Sequence, residues 1–222
     1  PLVEQADPAP AQRLPAQTIK RSSAAPFAPD PLPDELRAGR RLFTFARNDR
    51  VNPRGEFACS TCHYEGGEDK LTWLVVDSLR QTPALAGRVQ GTAPFNWLGT
   101  KIAMEDNMAQ TVERMGGAGL SDTELADLRR FIERGLWVPP NPFHQDELVG
   151  AAARGEALFY DPVVGCAVCH INGVTDAASH YVGTLSDVEV ELLKSTEGAE
   201  QLSGQFNTPS LVGAWRTAPY LH

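Results

Sequence analysis

The sequence CSTCH occupies residues 59–63, and the same pattern recurs as CAVCH at residues 166–170. Each motif has two cysteines separated by two residues and followed at once by a histidine. All four cysteines of the chain lie in these two motifs. Three kinds of site fit a CxxC pair: a thiol–disulfide redox pair, half of a zinc site and a haem attachment site. The residues around the motifs discriminate between them.

The histidine that ends each motif favours haem attachment. A structural zinc site needs four ligands at one point, whereas 103 residues separate Cys62 from Cys166. A thioredoxin-like pair needs a βαβ pattern, and the surrounding sequence is not strand-rich. In c-type haem attachment the two thiols form thioethers with the porphyrin and the histidine binds the iron. Buried thiols or disulfides at Cys59, Cys62, Cys166 and Cys169 remain the alternative.

An internal repeat surrounds the two motifs. A Gly-x-x-Leu-Phe segment precedes each of them, and a TPxLxG segment and then a TAP-aromatic segment follow each of them. In chain order these segments are 39–43, 82–87 and 92–95 in the first copy, and 155–159, 208–213 and 217–220 in the second. Since chance rarely produces four landmarks twice in one order, we infer two copies of one domain.

Composition and repeat together suggest three regions. Residues 1–33 contain eight prolines and few large apolar residues, which predicts an extended linker or tail. Residues 34–140 form the first copy and residues 141–222 the second. The first copy ends in LSDTELADLRRFIERGL, which predicts a helix capped by Ser121 and Glu124. The second copy lacks such a closing helix, so we expect the chain to be truncated at its C-terminus.

The net charge argues against nucleic-acid binding, and the hydropathy pattern argues against a transmembrane helix. The formal net charge is −8, whereas a nucleic-acid-binding surface is normally basic. The chain has no run of about 18 apolar residues, so the sequence does not predict a transmembrane helix. No signal peptide is visible, so an exported protein would be present here in processed form.

Each haem iron needs a sixth ligand or an open position, and the choice sets its potential and reactivity. For haem 1, attached at Cys59 and Cys62 with His63 as proximal ligand, the sequence favours Met115. It precedes the closing helix of the first copy, and Met104 and Met108 are the alternatives.

The second copy has no methionine. Haem 2 is attached at Cys166 and Cys169, with His170 as proximal ligand. His180 and His222 are its candidate distal ligands, and Tyr181 and His144 are weaker ones. Trp97, in the TAP-aromatic segment of the first copy, is a candidate electron relay between the haems; the alternative is a core role.

The combined motifs resemble the bacterial di-haem cytochrome c peroxidase and MauG superfamily. The matching stretches, across residues 34–222, are CSTCH, CAVCH, QTPALAGRVQGTAPFNW, FNTPSLVGAWRTAPYLH and RMGGAGLSDTELADLRRFI. The Met115-Gly116 pair is similar to the family's distal-methionine motif, which in the peroxidases belongs to the second haem. The family's distal histidine after the first motif has no counterpart in CHYEGGEDKLTW.

The resemblance implies a mainly α fold with two cytochrome c-like haem domains in tandem and two covalently bound haem c groups. It also implies a periplasmic or secreted protein, because haem c is attached outside the cytoplasm. We expect a di-haem cytochrome that transfers electrons as a peroxidase-like or MauG-like oxidoreductase. Peroxide or a protein would be its substrate, and a small cytochrome or a cupredoxin its redox partner. The alternatives are a non-catalytic electron carrier, a haem-bearing subunit of a larger assembly and, more remotely, a zinc-binding interaction module.

Overall fold

The structure of this chain is a computed structural model, which describes residues 30–75, 78–183, 205–218 and 220. The candidate ligand His222 lies outside the described residues. The chain divides into two units, residues 1–31 and residues 32–222. Every helix and strand below lies in the second unit.

Six α-helices and two small sheets make up the described part of the fold. The helices are α1 (Asp34–Thr44), α2 (Cys59–Cys62), α3 (Met104–Arg114), α4 (Asp122–Arg134), α5 (Ala151–Tyr160) and α6 (Cys166–Cys169). Strands β1 (Thr72–Val75) and β2 (Ser78–Gln81) pair antiparallel, as do β3 (Ser179–Tyr181) and β4 (Gln205–Asn207). The prediction of a mainly α protein is confirmed. Among the described residues, no helix has the length and apolar content of a membrane span.

The hydrophobic core lies between α1, α3 and α4. The apolar faces of these helices bury a cluster that consists of Leu36, Phe43, Met104, Met108, Leu125, Leu128, Phe131 and Ile132. The rings of Phe43 and Phe131 pack 5.4 Å apart across α1 and α4. Gly39 permits this close approach, because a Cβ there would collide with the carbonyl oxygen of Asp127. Cys59 packs against the edge of the same cluster, so the core positions the first CxxCH motif.

The predicted start of α4 is confirmed in detail. Ser121 caps the helix by accepting a hydrogen bond from the backbone N–H of Glu124, and the Glu124 carboxylate accepts one from the backbone N–H of Ser121. This reciprocal pair satisfies two N–H groups that a helix end otherwise leaves free. At α1, Pro33 is the capping position and Asp34 is the first helical residue.

Helix α5 occupies the place in the second copy that α1 occupies in the first, but its surroundings differ. None of its residues is buried, whereas Leu36, Gly39 and Phe43 of α1 are. Nothing lies within 4 Å of a Cβ added at Gly155, the counterpart of Gly39.

The backbone around the two CxxCH motifs follows one pattern. Each motif forms one helical turn, α2 or α6, followed by a 3-10 turn, at Tyr64–Gly66 or Ile171–Gly173. Positive φ angles recur at matching positions, which are Glu65 and Asn172, Gly66 and Gly173, and Lys70 and Ala177. The repeat seen in the sequence therefore extends to the local backbone. The boundary between haem domains at residues 140 and 141 stays a prediction.

Candidate haem sites

His63 is held in an orientation that suits an iron ligand. Its Nδ1 atom lies 2.9 Å from the carbonyl oxygen of Pro83, the proline of the first TPxLxG segment. Burial lowers the pKa of His63, which favours the neutral imidazole. Metal-binding histidines commonly donate their second ring N–H to a carbonyl or carboxylate, which fixes the tautomer. The hydrogen bond to Pro83 thus uses Nδ1 of His63, so Nε2 is the ring atom that would bind a metal.

His170 occupies the equivalent place after the second CxxCH motif, but its contacts differ. Its Nδ1 atom is buried and has no hydrogen-bond partner among the described residues. Its backbone N–H bonds to the carbonyl of Cys166, as that of His63 bonds to Cys59. Both histidines therefore leave their helical turn in the same way.

The 3-10 turns connect each CxxCH motif to its own TPxLxG segment. The carbonyl of Gly66 accepts hydrogen bonds from the backbone N–H groups of Leu85 and Ala86, both 2.8 Å long. In the second copy the carbonyl of Gly173 accepts one from Leu211, 2.9 Å long. The TPxLxG segments were landmarks of the repeat, and the structure shows their local role: each is hydrogen-bonded to the 3-10 turn that follows its motif's histidine.

An aspartate braces the loop of the first copy. Asp69 accepts hydrogen bonds from the backbone N–H of Leu71 (3.0 Å) and from Nε1 of Trp73 (2.9 Å). Burial opposes its ionisation, but these bonds and one from Thr82 lower the pKa of Asp69. Burial and the nearby Asp69 carboxylate raise the pKa of the Cys62 thiol. The carboxylate thus lies beside the second cysteine of the motif.

The second copy repeats this brace with a different aromatic donor. Asp176 accepts hydrogen bonds from the backbone N–H of Ala178 (3.1 Å) and from Nε2 of His180 (2.6 Å). Here too burial opposes ionisation, while bonds from His180 and Thr208 lower the pKa of Asp176. Cys169, Asp176 and His180 lie close enough together to hold a metal ion. A thioether at Cys169 would compete with that use.

Sequence reasoning singled out His180 but missed Asp69 and Asp176. The signal was present, since each aspartate follows its motif's histidine by six residues. An acidic residue in a loop draws little attention alone, and only the contacts show what these two hold.

The three methionines lie in two different environments. Met104 and Met108 of α3 are buried in the hydrophobic cluster. Met115 follows the last residue of α3, is half-buried, and precedes Gly116. Of the three, Met115 alone lies outside the hydrophobic cluster. Its role as an iron ligand stays a prediction.

Trp97 lies where the two copies meet. Its ring packs edge-on against Phe206 of β4, with centroids 6.4 Å apart, and its carbonyl accepts a hydrogen bond from the backbone N–H of Asn207. The Asn207 side chain also donates to the carbonyl of Pro94, at 2.6 Å. The TAP-aromatic segment of the first copy is therefore joined to the strand that leads into the second TPxLxG segment.

Two further candidate ligands of haem 2, His144 and Tyr181, lie at the surface. His144 is exposed in the loop before α5, with Nε2 3.6 Å from a carboxylate oxygen of Asp146. Tyr181 is exposed at the end of β3.

Comparison with known proteins finds a similar curated sequence. The chain is 29% identical over 184 residues to hydrazine synthase subunit gamma from Kuenenia stuttgartiensis, which covers 71% of this chain and 51% of that protein. The chain thus spans about half the length of this curated relative. No protein-family model matches the chain.

Two solved structures share the fold. The structure of Kuenenia stuttgartiensis hydrazine synthase pressurised with xenon matches with a TM-score of 0.67 and 21% identity, over 96% of this chain and 87% of that chain. A MauG-like protein associated with microbial copper homeostasis matches with a TM-score of 0.62 and 20% identity, over 86% and 73%. At these identities the likeness establishes a shared fold, which agrees with the MauG-like resemblance of the sequence.

Proposed function

We propose that the protein is a di-haem c-type cytochrome that transfers electrons as a peroxidase-like or MauG-like oxidoreductase. The observation that carries the proposal is the pair of CxxCH motifs, each on one helical turn and followed by a 3-10 turn that is hydrogen-bonded to a TPxLxG segment. The fold shared with a MauG-like protein supports it. The location would be periplasmic or secreted, because haem c is attached outside the cytoplasm.

The residues present fit two covalently bound haem c groups. Cys59 and Cys62 would hold haem 1, and His63 is oriented as its proximal ligand by the carbonyl of Pro83. His170 would be the proximal ligand of haem 2, which Cys166 and Cys169 would hold; its buried Nδ1 lacks the partner that Nδ1 of His63 has. A bound haem supplies one-electron redox chemistry, whose potential depends on axial ligand and surroundings.

We assign different tasks to the two sites. Met115 would complete the coordination of haem 1, which suits electron transfer because a thioether opposite histidine raises the potential. The second copy offers no methionine, and Nε2 of its candidate His180 is engaged by Asp176. We therefore place substrate turnover, with peroxide or a protein as substrate, at haem 2. Trp97, packed on Phe206 between the copies, would relay electrons.

A test of this proposal is spectroscopy of the purified protein. We expect an intense Soret band and a pyridine haemochrome content of two haems per chain. EPR of the ferric protein should show one low-spin haem and a second with a high-spin fraction. Added peroxide should change the spectrum of the high-spin component. Absence of haem absorbance contradicts the whole proposal, and two low-spin haems inert to peroxide contradict the enzymatic part.

A second candidate function is that of a haem-bearing subunit in a larger assembly. The similarity to a gamma subunit of hydrazine synthase favours it, because that protein is by name one subunit of an enzyme. The redox partner would then be a neighbouring chain rather than a small cytochrome or cupredoxin. Isolation of the native protein under mild conditions, followed by mass measurement, distinguishes a single chain from a stable complex.

A further inference from the structure

Four charged residues form a cluster where the second copy meets the loop after the first CxxCH motif. We call Glu68, Lys70, Arg88 and Arg216 the junction cluster. Lys70 Nζ donates to the carbonyl oxygens of Arg216 (3.2 Å) and Ala218 (2.5 Å). The first copy thereby holds the backbone of the second TAP-aromatic segment.

Arg88 makes a parallel set of contacts. Its Nε donates to the carbonyl of Val212 (2.6 Å), and its Nη2 donates to Oγ1 of Thr217 (3.1 Å). Burial lowers the pKa of Arg88, while the carboxylate of Glu68 opposes that effect. The side chains of Arg88 and Lys70 thus have hydrogen-bond acceptors in the second copy. Glu68 and Arg216 are the other two members of the cluster.

Two charged groups of the junction cluster have an unsatisfied buried atom. Oε1 of Glu68 and Nη2 of Arg216 are both buried without a hydrogen-bond partner among the described residues. The Glu68 side chain is only 7% exposed, and Lys70 Nζ lies 3.9 Å from its Oε1, too far for a hydrogen bond. Buried charged groups in folded proteins are normally paired or hydrogen-bonded. These two atoms therefore mark a place for a ligand.

The charge of the cluster selects an anion. Lys70, Arg88 and Arg216 provide three positive charges against the carboxyl of Glu68 and the neighbouring carboxylate of Asp69. Burial raises the pKa of Glu68, so it takes up a proton more readily than an ordinary glutamate and can then donate a hydrogen bond. A planar guanidinium matches the two oxygens of a carboxylate. A carboxylate is therefore the ligand that fits both unsatisfied atoms.

The position of the cluster indicates which carboxylate this is. Nη2 of Arg216 lies 3.3 Å from the place where a Cβ would stand at Gly67, four residues after His63. Each haem c carries two propionate carboxylates. We propose that Arg216 and Glu68 bind a propionate of haem 1, so that a residue of the second copy holds the haem of the first. This inference rests on the proposed haem attachment at Cys59 and Cys62.

The arrangement has a measurable consequence for haem 1. A buried cation beside a haem favours the reduced state, in which the iron carries one positive charge less. Arg216→Gln should therefore lower the equilibrium constant for reduction of one haem about tenfold, which equals ~59 mV for one electron. Arg134→Gln, at the exposed end of α4, removes the same charge from the surface and should leave both potentials unchanged.

The experiment combines spectroelectrochemistry with redox-difference infrared spectroscopy on the full chain, with and without ¹³C in the haem carboxylates. We expect carboxylate bands that shift on labelling, move in Arg216→Gln and stay in place in Arg134→Gln. Arg216→Lys keeps the charge and serves as a second variant if Arg216→Gln does not fold; its labelled bands should move while the potential changes less.

Three results would overturn the inference. One is label-sensitive bands that are identical in wild type and Arg216→Gln. Another is carboxylate bands that do not shift on labelling but move in both Arg216→Gln and Glu68→Gln, which would mean that Arg216 and Glu68 pair with each other. The third is bands that respond to added acetate or phosphate rather than to the label, which would indicate a free anion. A protein without a Soret band refutes haem attachment itself and is thus distinguishable from all three.

Discussion

His180 donates a hydrogen bond from Nε2 to Oδ2 of Asp176, across 2.6 Å. In the first copy the same position belongs to Trp73, whose Nε1 donates to Asp69 across 2.9 Å. An indole cannot bind iron through its N–H. The residue at this position in the repeat therefore serves to hold the aspartate by a hydrogen bond. The role of His180 as a ligand of haem 2 competes with that bond.

The first prediction concerns a variant in which His180 is replaced by tryptophan, the residue that stands at this position in the first copy. His180→Trp should leave the EPR spectrum of both haems unchanged, because the indole can donate to Asp176 as Trp73 does to Asp69. Asp176→Ala should lower the free energy of unfolding by about 1–3 kcal/mol, because it leaves the donors around it unpaired. A change in the spin state of one haem in His180→Trp would instead identify His180 as an axial ligand.

The second prediction concerns Met115. Met115→Leu keeps the size of the side chain but removes the sulfur, so the potential of one haem should fall and its ferric form should become partly high-spin. Met108→Leu is the matched control within the buried cluster. It should cost less than about 1.5 kcal/mol of stability and leave both haem spectra as they are. Spectral change in the control alone would assign the ligand to α3.

How far the sequence predicts this molecule depends on the kind of signal. The capped helix after Ser121 and the turns of the CxxCH motifs follow local rules, and the structure has both. The exposed face of α5 was not predicted, because Leu158 and Phe159 match Leu42 and Phe43 in sequence. Burial depends on what packs opposite, which a single sequence pattern does not contain.

The same limit explains what was missed around the haem sites. Asp69, Asp176 and the junction cluster act through contacts between segments far apart in the chain, such as Lys70 with Ala218. Nothing in the residues near Lys70 predicts that partner. The hydrogen bond from His63 to Pro83 also spans 20 residues, and a repeated TPxLxG segment marks its place without showing its purpose.

The third prediction uses two glycines that the repeat places in equivalent positions. A Cβ at Gly39 meets the Asp127 carbonyl and Phe131, so Gly39→Ala must separate α1 from α4. The free energy of unfolding should fall by about 1–3 kcal/mol or more. Gly155→Ala meets nothing within 4 Å and should raise it by about 0.5–1 kcal/mol through helix propensity.

Chemical denaturation of both variants beside wild type measures the difference. Far-UV circular dichroism should also show that α5 keeps its helical content in Gly155→Ala. Destabilisation by Gly155→Ala would contradict the open surroundings of α5 and would mean that another segment or chain packs closely on it.

The fourth prediction is a pH dependence at the start of α4. Hydrogen bonds from Arg50, and from the backbone and hydroxyl of Ser121, lower the pKa of Glu124 from 4.5 to about 2. A carboxyl group with a lowered pKa contributes stability above its unfolded value, and that contribution is lost as the pH falls towards the folded value. The free energy of unfolding should therefore decrease between about pH 4.5 and 2.

Glu124→Gln removes this contribution and should flatten the profile in that window. Since the Arg50 side chain is 43% exposed, solvent screening limits the difference at neutral pH to about 1–2 kcal/mol. Glu133→Gln breaks an ion pair with Arg129 on the same helix. In this variant the free energy of unfolding should fall with pH as steeply as in wild type. Urea unfolding from pH 2 to 7 measures all three proteins. Equal slopes for wild type and Glu124→Gln would mean that the Arg50 contact does not hold this carboxylate in its ionised form, and that the cap of α4 rests on Ser121 alone.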